Sequence, residues 1–238
     1  MRVTQLIEIA LSNVATGVIF GYNDLIDNPD YTQAAIKALN RKVQKGELVK
    51  LSKGKFYKPE QSIFGVLKAS EEEVVKDLLK AGDTIIGYLT GLSIYNKLGL
   101  TTQVSSTIQI AKNTIRPALQ RDYYKINFIL QKNKITKENV PLLQLLDAIR
   151  YIKKIPDTTV EKSIARLSIL LQQLTAAEML ELLNLSNKYP PSVRALLGFM
   201  LEQQNIDAAD LRRSLNPITT YNYGISDLFP SAKKWNIK

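Results

Sequence analysis

The 238-residue chain contains no cysteine and no histidine, and a single tryptophan. Without thiols there is no disulfide and no thiol nucleophile, and without imidazole there is neither a zinc finger nor a side chain that ordinarily titrates near neutral pH. No run of about 18 apolar residues occurs, and the first residues lack the basic, apolar, small-residue order of a signal peptide. A cytoplasmic protein with no membrane partner is therefore expected. The glycines are isolated and none precedes a Gly-Lys-Ser/Thr ending, so no phosphate-cradling loop is present. A metal-dependent nuclease needs an acid two residues before a lysine on a strand, and in Leu130-Gln131-Lys132 neither Leu130 nor Gln131 is an acid. Asp122-Tyr123-Tyr124-Lys125 has the wrong spacing, and Asp147, Asp157, Glu178 and Glu181 are expected on solvated helix surfaces. These absences lead to the expectation of a non-enzyme with no catalytic residue, metal or cofactor.

What the chain does have is positive charge, +10 in total, on an apolar content of 45% that suffices to bury a core. The charge is focused. Lys37 to Lys58 holds eight Lys or Arg against one acid, Glu47. The same stretch reads as a helix and a hairpin. Ala35, Ile36, Leu39 and Val43 recur at helical spacing, and Gly46 stops the helix. On the other face stand Gln33, Lys37 and Arg41, with Thr32, Asn40 and Gln44 beside them, amides and cations of the kind that meet phosphates and base edges. Leu48 to Leu51 and Phe56 to Lys58 read as strands joined at Ser52-Lys53-Gly54-Lys55, which places Lys53 and Lys55 at the hairpin tip. Upstream, Val3 to Ala15 is an amphipathic helix, Val18 to Phe20 a strand suited to pair with the hairpin, and Tyr22 to Ile26 a short helix before the turn at Asn28-Pro29-Asp30. That order is the order of a winged helix-turn-helix. Double-stranded DNA is the expected partner, because each phosphate neutralised releases condensed counterions.

The expected architecture is α+β and mainly helical: a winged helix-turn-helix over residues 1–60, a linker over 61–70, and a C-terminal helical domain with a small sheet over 71–238. Ser70 and Glu73 have capping-box spacing at the start of a helix that ends before Gly82. Ile85 to Leu98 reads as a helix, with Tyr88 and Tyr95 on one face; Ser106 to Ala111 and Lys125 to Leu130 read as strands. Four helices follow, over Val140 to Lys153, Thr159 to Leu174, Ala176 to Tyr189 and Ser192 to Gln203. A second basic segment, Lys112, Arg116, Arg121, Lys125, Lys132 and Lys134, carries one acid, Asp122. Three readings of it stand open: an extension of the DNA footprint, a face for an acidic partner, or lysine-protected strand edges.

Four blocks, RKVQKGELVKLSKGKFYKPE, GYLTGLSIYNKLGLTTQ, YKINFILQKNKITKENVPLLQLLDAIRYIKKIP and YPPSVRALLGFMLE, resemble in order and spacing the AbiEi-type antitoxins of type IV toxin-antitoxin systems, in their DUF6088-like branch with an N-terminal winged helix. The resemblance implies a bacterial autorepressor of an abortive-infection operon that counteracts a nucleotidyltransferase-like toxin through its C-terminal domain, without need of a stable complex. It places DNA contact on Gln33, Lys37, Arg41, Lys53 and Lys55, and gives the C-terminal tail no role. Two other readings remain: a stand-alone winged-helix regulator whose second domain senses a ligand or dimerises, and a protein-interaction module whose basic face binds no DNA.

Overall fold

A computed structural model describes residues 3–63 and 65–238; Phe64, inside the expected linker, lies outside the described residues. The chain is α+β with small sheets and divides into two compact units. Among the described residues no helix is long and apolar enough to cross a membrane.

The first unit opens with α1 (Val3–Ser12) and β1 (Ile19–Gly21), followed by single 3-10 turns at Tyr22–Asp24 and Pro29–Tyr31, α2 (Thr32–Gln44), β2 (Val49–Ser52) and β3 (Lys55–Tyr57). β3 lies between β1 and β2 and is antiparallel to both, so Phe56 stands opposite Phe20. Ile7 and Leu11 of α1, Ala35, Ala38 and Leu39 of α2, and Phe20, Leu48 and Phe56 close one core. Gly54 takes φ +75° at the β2–β3 turn, a conformation that costs other residues a Cβ clash. Lys58 turns inward: its ammonium donates to the carbonyls of Leu11, in the last turn of α1, and Val14, just past its end.

Residues 61–70 are not a bare linker. They carry most of an antiparallel hairpin, β4 (Glu60–Ser62) with β5 (Gly65–Leu67), followed by α3 (Glu71–Leu79). The first unit runs through Leu78 and takes in Leu119–Lys125 as well, so the boundary expected at 60–70 lies later and is crossed more than once. The reason is α3, which buries Val74, Val75 and Leu78, and whose Glu73 accepts a hydrogen bond from the Ile19 amide.

The second unit contains β6 (Lys80–Ala81), β7 (Thr84–Ile85), β8 (Tyr88–Thr90), α4 (Leu92–Lys97) and β9 (Thr107–Lys112). After β10 (Leu119–Arg121), which is part of the first unit, β11 (Tyr124–Leu130) begins in the first unit and ends in the second. The expected helix over Ile85–Leu98 is thus corrected to strand, turn and short helix. All three residues of β8 are buried and pair antiparallel with Gln109–Ala111 of β9. Gly91 then reverses the chain at φ +78°, where an added Cβ would lie 2.1 Å from the Gln109 side chain. A continuous helix through that point is excluded by the backbone alone.

Helices α5 (Val140–Arg150), α6 (Val160–Gln172), α7 (Ala176–Ser186), α8 (Pro191–Glu202) and α9 (Ala209–Arg213) build the larger core. Thr159 and Thr175 cap α6 and α7. Every residue of α8 from Ala195 to Leu201 is buried. The tail supplies part of that cover. Trp235 lies on Gly198, where an added Cβ would come within 2.1 Å of the indole, and its Nε1 donates to Glu202 at 2.7 Å.

Asp147, expected on a solvated helix face, is 1% exposed on α5. Tyr88 of β8 and Tyr189 donate to its two carboxylate oxygens at 2.8 and 2.9 Å, and Gln131 donates to both tyrosine hydroxyls at 2.8 and 2.9 Å. Burial raises the Asp147 pKa to about 6 against the lowering pull of the two hydroxyls. Burial, then the Asp147 charge, holds Tyr88 and Tyr189 well above the ordinary tyrosine range, so both remain donors. Because the folded pKa is the higher one, the native state binds the extra proton: the group costs nothing below about pH 4 and its full penalty, about 3 kcal/mol, above about pH 6. Asp147→Asn is therefore expected to flatten the fall in unfolding free energy between pH 4 and 6, read by Trp235 fluorescence in urea. Identical pH profiles for the two proteins would contradict the buried-carboxylate account.

Candidate nucleic-acid interface

The candidate interface residues sit in the first unit, on α2, in the β2–β3 turn (Lys53) and at the start of β3 (Lys55). Burial of Ala35, Ala38 and Leu39 fixes the rotation of α2 and leaves Gln33, Lys37, Arg41 and Gln44 exposed along the opposite face. Neither Lys37 nor Arg41 makes an ion pair among the described residues. Thr32 is half-buried, and Asn40 turns back on the helix, its amide donating to the Ile36 carbonyl at 2.9 Å. Asn40 is thus already engaged, which the helical spacing alone did not reveal.

The cations of this region divide by partner. Lys42 pairs with Glu47 at 2.6 Å, and that hydrogen bond depresses the Glu47 carboxyl. Lys58 is held by the carbonyls of Leu11 and Val14. Lys45 and Lys50, which sequence reasoning left out of the candidate residues, are exposed with Lys53. The exposed cations among the described residues of this stretch that make no ion-pair contact are thus Lys37, Arg41, Lys45, Lys50 and Lys53, with Lys45 near enough to Glu47 for its charge to act there.

Lys55 departs from the expectation of a free turn-tip cation. It is half-buried, and its ammonium lies 2.7 Å from Asp77 Oδ2 of α3. The same carboxylate receives both terminal nitrogens of Arg121, at 2.5 and 2.8 Å, while Arg121 also donates to the Val74 carbonyl. Asp77 therefore answers two cations. Partial burial pushes its pKa up, but the hydrogen bonds and charges of Arg121 and Lys55 outweigh that and hold it at about 2.

The second basic segment does not form one face. Lys112 and Arg121 are buried, and Arg116, Lys125, Lys132 and Lys134 are exposed. Arg121 and Lys125 belong to the first unit and the other four to the second. Arg116 lies over the Phe128 ring, 5.4 Å from its centroid.

Sequence reasoning named Lys132 but missed the cluster it joins in the second unit. Lys132, Arg150 and Lys188 line a cleft of about 520 Å³ together with Gln131 and Tyr189. Nothing in the local sequence marks it, because its walls come from three separated segments.

Removing Asp77 leaves the buried Arg121 without its counter-charge. Asp77→Ala is expected to destabilise the first unit by about 1 to 3 kcal/mol, below the cost at a fully buried pair because Asp77 stays 42% accessible. The depressed pKa gives the sign with pH: the contribution is full above about pH 4 and is lost as pH falls toward 2. Hydrogen exchange of the β1–β3–β2 amides at pH 7 reads this cost; unchanged protection would show that Arg121 is held by other groups.

Residues 6–179 match the model of a family described as a family of unknown function (DUF6088). No curated protein matches the chain. Among solved structures, the crystal structure of the RV2827C protein from Mycobacterium tuberculosis is similar with a TM-score of 0.59 at 14% identity, over 86% of this chain and 79% of that one. At that identity the likeness speaks for the fold alone.

Proposed function

The chain belongs to the DUF6088 family, whose function is unknown, and we propose that its first unit is a winged helix-turn-helix that binds double-stranded operator DNA. The observation that carries this reading is α2: thirteen residues with one face sealed into the core and the other presenting Gln33, Lys37, Arg41 and Gln44 without acidic partners. A helix of that length spans about 20 Å and enters a major groove about 12 Å wide, where amides and cations meet base edges and phosphates. Lys45, Lys50 and Lys53 then lie on the flanks for backbone contact. The resemblance of the sequence to AbiEi-type antitoxins supports the wider proposal, an autorepressor that also counteracts a nucleotidyltransferase-like toxin through the second unit.

Lys37→Ala with Arg41→Ala removes two exposed groups outside the core, so folding is expected to persist while specific DNA affinity falls by about 1 to 3 kcal/mol for each base-edge hydrogen-bonding group removed. A gel-shift titration checks it, with circular dichroism as the folding control. In cells the same double variant is expected to lose promoter repression and still rescue growth against the toxin. Unchanged affinity sinks the DNA reading; loss of rescue by the folded variant sinks the assignment of toxin neutralisation to the second unit.

The turn gives a sharper test. Lys53 is free and Lys55 is already paired with Asp77. Lys53→Ala is expected to reduce the slope of log K against log salt by about 0.9, one phosphate's worth, and Lys55→Ala by clearly less. Equal changes for the two lysines would mean that the Asp77 pairing gives way when DNA binds.

A further inference from the structure

We propose that the second unit holds a binding site for a phosphate-bearing small molecule, about the size of a mononucleotide, in the cleft lined by Lys132, Arg150 and Lys188. The site shares no residue with the proposed DNA-binding helix and turn, and the inference does not rest on that reading. Its volume, about 520 Å³, falls in the range of roughly 300 to 1,000 Å³ typical of ligand clefts. The charge on its walls is of one sign: three cations and no carboxylate. None of the three makes an ion pair among the described residues. Like charges gathered around a concavity raise the free energy of the empty state and focus a field that an anion relieves.

The walls are also fixed in advance. Asn113 donates to the carbonyls of Gln131 and Asn133 at 2.7 and 2.6 Å, which anchors the segment bearing Lys132. Arg194 donates to the carbonyls of Asn187 and Tyr189 at 3.2 and 3.1 Å, which anchors the residues flanking Lys188. Gln131 and Tyr189 at the cleft are each 5% exposed and tied to each other at 2.9 Å. Arg150, at the end of α5, lies over the Tyr151 ring, 5.2 Å from its centroid, and its charge also acts on the buried Asp147 carboxylate. A site so braced loses little freedom on binding, which favours affinity. Leu130 and Pro191 line the same cleft and offer apolar surface to a base or another flat group.

The test is calorimetric titration of the full chain with ATP and with pyrophosphate at low salt. At least one of the two is expected to bind, one molecule per chain. Lys132→Gln with Lys188→Gln is expected to weaken that binding by about tenfold or more, the effect of removing two charges beside the anion, and Arg150→Gln to weaken it separately. Lys37→Ala with Arg41→Ala is expected to bind as the parent chain does, which separates this site from the proposed DNA-binding helix. The proposal is overturned if neither probe binds, or if both cleft variants, folded by circular dichroism, bind as tightly as the parent. It is also overturned if the cleft variants lose duplex DNA affinity while neither probe binds, since the cleft would then be part of a nucleic-acid footprint.

Discussion

The second unit depends on one buried charge. Asp147 could have been replaced by an apolar residue only with the loss of its grip on two distant segments, since Tyr88 lies on β8 and Tyr189 precedes α8. A buried carboxylate is costly, and here the cost is partly offset by the hydroxyls of Tyr88 and Tyr189, which donate to its two oxygens. Gln131 extends the arrangement to the end of β11, and Asn133, through its amide to the Leu185 carbonyl, to α7. Strand and helix positions that hydrophobic contact alone leaves free to slide are thereby registered against one another. The cleft with its three cations is built on this frame, because two of its lining residues, Gln131 and Tyr189, are members of it.

In the first unit the corresponding constraint is Asp77. Charge counting along the sequence credits the α2 and hairpin region with eight cations, but the structure withdraws several of them from solvent. Lys55 and Arg121 converge on Asp77, Lys58 closes α1, and Lys42 is matched by Glu47. What remains is a smaller set, of which Lys37 and Arg41 are held in place by the core on the other side of α2, while Lys45 follows that helix and Lys50 and Lys53 lie on β2 and its turn. A cation on a rigid helix is worth more to a phosphate than an equal charge on a mobile segment, because less freedom is given up on binding.

The first unit was legible because its elements are local and punctuated. Apolar spacing in α1 and α2, Gly46 and Gly54, and the hairpin strands Val49–Ser52 and Lys55–Tyr57 each declare themselves within a dozen residues. The region from Thr84 to Lys97 was not. Its apolar content satisfies a helical stripe as readily as a buried strand, and the deciding fact, the φ of Gly91 against Gln109, is tertiary. The same holds for the site residues. Gln33, Lys37 and Arg41 follow from periodicity, whereas the pairing of Lys55 with Asp77 and the burial of Asp147 join residues whose sequence separation hides them. Lys45 and Lys50 had a signal, plain charge within the focused stretch, that helical-face reasoning set aside.

The chain's path imposes a last constraint on how its two units are to be understood. The first unit ends at Leu78 but reclaims Leu119–Lys125, so the polypeptide passes from one unit to the other three times. Arg121, one of the reclaimed residues, is buried and satisfied by Asp77 and the Val74 carbonyl, both in α3. A cut near residue 70 therefore parts α3, with its buried Val74, Val75 and Leu78, and Leu119–Lys125 from the rest of their own unit. Loss of activity in such a fragment would report exposed apolar surface and an unpaired buried guanidinium as readily as a missing function. Separating roles by surface substitutions on α2, on the turn at Lys53 and in the cleft avoids that confusion, because none of those side chains is part of either core.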